Sequence, residues 1–143
     1  MYISDINKMN SSRLCRNAGK TALTYLLISL FCALFGAIYE FFSHGVYSFY
    51  MIYAFAFPLA GGTAPFLIMA SVKVKRYPAR ISRNLYHSGI ATFTVGSLVN
   101  GVLEIYGTTN ALSVCYPIAG TALILGGITT ETVLRLLRKR TIR

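Results

Sequence analysis

Residues 21–72 read TALTYLLISLFCALFGAIYEFFSHGVYSFYMIYAFAFPLAGGTAPFLIMASV, fifty-two positions without one lysine or arginine. A helix needs about 20 apolar residues to cross the hydrocarbon core, so this stretch accommodates two crossings and a short turn. Ser43-His44-Gly45 supplies the turn and predicts spans at about 21–42 and 47–72. A second interval, 84–134, is fifty-one residues long and equally free of basic side chains. Gly107-Thr108-Thr109-Asn110 divides it into spans at about 88–106 and 111–134.

The rest of the composition agrees. The chain has 143 residues, of which 55% are hydrophobic and only 13% charged, with a mean hydropathy of +0.56. A soluble domain carries about 25% charged residues. Disorder, a disulfide-stapled secreted domain and an ordinary water-soluble enzyme are thereby excluded. Backbone in lipid must satisfy its own hydrogen bonds, and alternating barrel strands are absent. The expected fold is therefore all-α, an integral membrane four-helix bundle of two consecutive hairpins. Residues 1–20 form an N-terminal arm, 21–134 the transmembrane domain and 135–143 a basic tail.

All fourteen basic residues fall within 8–20, 73–83 and 135–143. The positive-inside rule puts both termini and the 73–83 loop in the cytoplasm of a multi-pass protein in a bacterial-type plasma membrane. Topology thus explains the net charge of +10, and no nucleic-acid partner is implied. The basic loop and Arg138-Lys139-Arg140 would attract anionic headgroups of the lipid bilayer. The first span is too long for a signal-peptide core, and Phe31 before Cys32 is wrong for lipoprotein cleavage. Cys15, Cys32 and Cys115 are odd in number and far apart, so no structural disulfide is expected. Tyr25, Tyr77 and Tyr86 mark the inner boundary, and Tyr39, Tyr47, Tyr50, Tyr106 and Tyr116 the outer one.

The two hairpins rhyme. Gly36-Ala37-Ile38-Tyr39-Glu40 parallels Gly101-Val102-Leu103-Glu104, and Pro58-Leu59-Ala60-Gly61 parallels Pro117-Ile118-Ala119-Gly120. A parallel internal repeat and the shared grammar of membrane helices both explain the match, which needs an offset of five residues.

Few residues carry chemistry. Glu40 and Glu104 end the first and third spans, and Ser88, Thr92, Gly96, Asn100 and Glu104 recur every four residues as one polar and small stripe. Such a stripe faces protein or a hydrated cavity; helix packing uses the same residue types. His44 lies four residues after Glu40, so Glu40, His44, Asn100 and Glu104 are candidate binding residues at the outer end. Carboxylates and an imidazole suit a divalent cation or a proton relay. No metal-site spacing is present, and His44 and His87 lie a membrane thickness apart, which disfavours a haem; no cofactor is expected. Pro58, Gly61, Gly62 and Pro65 break the second span near its middle, either as a transport site or as a packed kink with the Ala56, Ala60, Ala64 ladder. Glu131 and Arg135 form a structural pair.

No catalytic motif appears, so the chain is not expected to be an enzyme. Its size invites comparison with the small multidrug transporters, but it has no Trp and its first-span Glu sits at the outer end. Two functions remain. One is a homo-oligomer that binds or translocates a small cation or polar solute. The other is a non-transporting accessory or scaffold subunit packed against a larger membrane partner.

Overall fold

Both turns between antiparallel helices hinge on a glycine in the left-handed region, Gly45 at φ +89° and Gly107 at φ +68°. At Gly107 the chain closes with paired bonds, Gly107 N–H to Glu104 O and Thr108 N–H to Leu103 O, both 3.0 Å. This is the Schellman arrangement, and its left-handed position suits glycine because a Cβ there would clash with the backbone.

The computed structural model describes residues 2–43, 45–72 and 78–141, with side chains for 12–43, 45–72, 78–138 and 140. His44, Lys73, Lys75, Arg76 and Arg143 lie outside the described residues. Helix α1 spans Tyr2–Phe42 without interruption, so the N-terminal arm continues the first span's backbone. Its 41 residues extend roughly 60 Å, about twice the thickness of a hydrocarbon core. The second crossing comprises α2 (Phe49–Ile52), a π-helical segment (Phe57–Thr63) and α3 (Ala64–Ser71). Helix α4 covers Arg80–Ile105, and a short 3₁₀ turn (Ala111–Val114) leads into α5 (Cys115–Thr141). Four stretches are long and apolar enough to cross a membrane: Ser12–Phe42, Phe49–Ser71, Arg80–Ile105 and Ala111–Arg138. Among the described residues there is no strand.

Helix α4 starts eight residues earlier than the expected span, so Arg80 and Arg83 ride on it rather than on a loop. Ala79 caps it with no side-chain bond of its own. Its N–H is accepted by Glu131 Oε2 at 2.9 Å, from the far end of α5. Helix α5 likewise continues through most of the expected tail.

The crossings pack in chain order: α1 against the broken second crossing, that crossing against α4, and α4 against α5. Among the described residues the backbone of α5 approaches only α4 and its own leading turn, so the bundle stays open between its first and last helices. Leu23, Leu27, Leu34, Leu125 and Leu136 are exposed, as lipid-facing residues of a membrane bundle are. The packed centre is small: Ala22, Tyr25, Phe66 and Ile90, flanked by Met69, Tyr86 and Ile124. The described basic side chains cluster at one end, here the basic end, and both turns form the other, the turn end.

Candidate functional site

The second crossing is the irregular element, and its sequence explains why. In an α-helix the Gly61 carbonyl would take the N–H of residue 65, but residue 65 is proline and has none. Tyr86 of α4 donates its hydroxyl to Gly61 O instead, at 2.8 Å. Near the turn end, Ala54 N–H bonds Met51 O rather than Tyr50 O, and Ser97 of α4 donates to that Tyr50 carbonyl at 2.7 Å. Ser29 of α1 donates to Phe55 O at 3.0 Å, beside the bond from Leu59 N–H. Freed backbone acceptors in hydrocarbon must find partners, and neighbouring hydroxyls with a local π adjustment are the available ones. Pro58, Gly61, Gly62 and Pro65 thus produce the break; Tyr86 and Ser97 cover its freed carbonyls, and Ser29 adds a second donor at Phe55 O.

Packing seals the same joint. A Cβ on Gly62 would lie 2.2 Å from the Tyr25 ring, so the glycine admits that ring against the bent backbone. Tyr25 stacks on Phe66 with ring centroids 6.1 Å apart, and its hydroxyl and His87 Nδ1 share a 2.5 Å hydrogen bond. Tyr25, Tyr86 and His87 are therefore parts of the joint, with both tyrosine hydroxyls bonded to protein groups. The available signal was the Gly61-Gly62 pair, because two adjacent small residues in a span leave room for a large partner. A groove of about 640 Å³ opens beside the joint between α1 and α4, lined by Thr24, Tyr25, Cys32, Pro58, His87 and Thr94.

At the turn end, Met51 is wedged between α1 and α4. A Cβ on Gly36 would meet Met51 O at 3.1 Å, and one on Gly101 would meet Met51 N at 2.9 Å. Glu40 lies four residues beyond Gly36 and Glu104 three beyond Gly101, so both carboxylates rise from faces turned toward the start of the second crossing. Ser48, fully buried, caps α2 by accepting Met51 N–H at 3.4 Å and donates to Glu104 Oε2 at 2.5 Å. Among the described residues Glu40 Oε1 is buried and has no hydrogen-bond partner. Tyr39 and Tyr106 line a cleft of about 400 Å³ with Phe35, Phe42 and Ile105. Asn100 is half-buried one turn below Glu104, and His44 lies outside the described residues.

Of the stripe from Ser88 to Glu104 only Gly96 is buried, against Tyr116 of α5. Ser88 and Glu104 are exposed, and Thr92 bonds its own helix at Ser88 O, 2.8 Å. The face turned to the broken crossing carries Ile90, Thr94, Ser97 and Gly101 instead, all buried. Among the described residues, no three His, Cys, Asp or Glu side chains group closely enough to hold a metal ion. Comparison with protein-family models, curated proteins and solved structures finds no match to the chain.

Proposed function

We propose that this multi-pass membrane protein binds a small hard cation at its turn end, with Glu40 and Glu104 as the anionic ligands. The observation that carries this reading is Glu40 Oε1, a carboxylate oxygen removed from solvent and, among the described residues, without a donor. Buried polar atoms are nearly always bonded, and an exception points to an absent water, ion or proton. The other oxygen groups of the turn end, the Glu104 carboxylate, the Ser48 hydroxyl and the Tyr39 and Tyr106 phenols, suit a hard cation better than a soft metal. With three helices meeting at Met51, a ligand there would hold α1 and α4 together across the second crossing. Asn100 and water, or the same end of a second copy, would complete the coordination. The middle of the second crossing is a poor site by comparison, because its freed Gly61 and Tyr50 carbonyls are already occupied.

Thermal unfolding of the full chain in detergent, titrated separately with Na⁺, K⁺, Mg²⁺ and Ca²⁺, tests this reading. One cation should stabilise saturably, by about 2.7 kcal/mol at a hundredfold excess over Kd. Glu40→Gln should abolish the response and raise stability in cation-free buffer, since it removes an uncompensated buried charge. Glu104→Gln should weaken it.

The accessory-subunit reading is supported by a different observation. Ile118, Leu125 and Leu136, spaced seven and eleven residues apart, share an exposed face of α5, whose backbone among the described residues approaches only α4 and its own leading turn. No cation response in the wild type, with both Gln variants unchanged, would favour that reading.

A further inference from the structure

A third cavity lies at the basic end, away from both carboxylates of the turn end. It is a groove of about 570 Å³ between α3, the start of α4 and the end of α5, inside the range of roughly 300–1,000 Å³ typical of ligand pockets. Pro65, Phe66, Met69, Pro78, Ile128 and Leu136 make its apolar walls. The polar groups that face it are engaged with the protein. Ser82 donates to Gly127 O at 2.7 Å, and Tyr86 to Gly61 O at 2.8 Å. Glu131 accepts Ala79 N–H at 2.9 Å on one oxygen and Arg135 Nε at 2.7 Å on the other. The interior therefore offers hydrocarbon contact and little else.

The mouth is different. Arg83 and Arg135 line it, and Arg138 follows on the same helix. Glu131 engages Arg135 only through Nε, and the Arg135 side chain is 62% exposed. Among the described residues its two terminal amino groups have no acceptor. A guanidinium fixed at one nitrogen and open at its fork is suited to bidentate binding of a phosphate. Three arginines against one carboxylate leave the mouth positive.

We propose that this groove is a binding site for one anionic phospholipid, with an acyl chain along the α3–α5 wall and the phosphate on Arg135 and Arg83. The charge of the mouth selects the headgroup and the apolar walls hold the chain. A lipid reaches such a site by lateral diffusion, at the depth where a basic helix end meets headgroups. The site is independent of cation binding at the turn end.

Native mass spectrometry of the full chain, released from micelles doped with phosphatidylglycerol or phosphatidylcholine, counts retained lipid. One phosphatidylglycerol per chain should persist, and phosphatidylcholine should not. Retention should fall about fivefold for each arginine removed in Arg83→Gln and Arg135→Gln. Ile128→Trp, at an exposed groove position, should displace the lipid with every charge intact. Arg13→Gln with Arg16→Gln, which removes equal charge elsewhere at the basic end, should retain it. Loss of lipid equal to that of the groove pair in this control would overturn the proposal, as would full retention in Ile128→Trp. Equal retention of phosphatidylcholine, or binding of glycerol 3-phosphate as tight as that of the lipid, would do the same.

Discussion

Pro58-Leu59-Ala60-Gly61 and Pro117-Ile118-Ala119-Gly120 are nearly the same text, yet the first sits in a π-helical break and the second in a regular helix. Position explains the difference. Pro117 is the third residue of α5, where a backbone N–H has no helical partner and its loss costs nothing. Pro58 lies inside the second crossing, and Pro65 follows seven residues later, so donors are lost where the chain has no water to replace them. Only the first hairpin therefore needs help from its neighbours, and Tyr86 and Ser97 provide it. A proline motif in a membrane span acquires meaning from its distance to the helix start.

The largest contrast should come from the glycines. Gly62→Ala puts a methyl group into the Tyr25 ring and should cost about 3 kcal/mol, the upper part of the usual overpacking range. Gly126→Ala in α5 meets nothing within 4 Å and should be neutral or stabilising by up to about 1 kcal/mol. Denaturant titration in mixed micelles measures both. Equal effects would remove the distinction between a sealed joint and an open helix.

The hydroxyls give a smaller contrast. Ser97→Ala should cost about 1 kcal/mol, because the Tyr50 carbonyl loses its partner inside the bundle. Thr121→Ala, four residues after Pro117, should change stability by less than about 0.5 kcal/mol. Its hydroxyl only back-bonds Pro117 O on an exposed surface. The same titration checks this pair, and a Thr121 effect as large as that of Ser97 would refute it.

The four crossings were legible because lysine and arginine are missing from two long intervals, a signal that needs no knowledge of contacts. The break was legible too, since proline and glycine act locally on the backbone. What closes the break was not. The hydroxyl of Thr92 satisfies itself on its own helix, whereas that of Ser97, five residues on, crosses to another. Composition cannot separate the two: of the stripe from Ser88 to Glu104 only Gly96 is buried, while the side turned to the second crossing is Ile90, Thr94, Ser97 and Gly101. The packing of Tyr25 and Tyr86 was not legible for a similar reason: their partners, Gly62 and Gly61, are distant in sequence. At the turn end, Glu40 and Glu104 were legible as rare acids, but Ser48 as the partner of Glu104 depends on how the second crossing begins.

The most direct test of the closed joint is a double-mutant cycle between Tyr86 and Pro65, read as unfolding free energy in mixed micelles. Tyr86→Phe alone should cost about 1 kcal/mol, since the Gly61 carbonyl would lose its donor. In the Pro65→Ala background residue 65 supplies an N–H to that carbonyl, and the cost of Tyr86→Phe should fall close to zero. The same cost in both backgrounds would mean that Tyr86 does not replace the missing donor. The mid-span carbonyls would then again be candidates for binding a ligand.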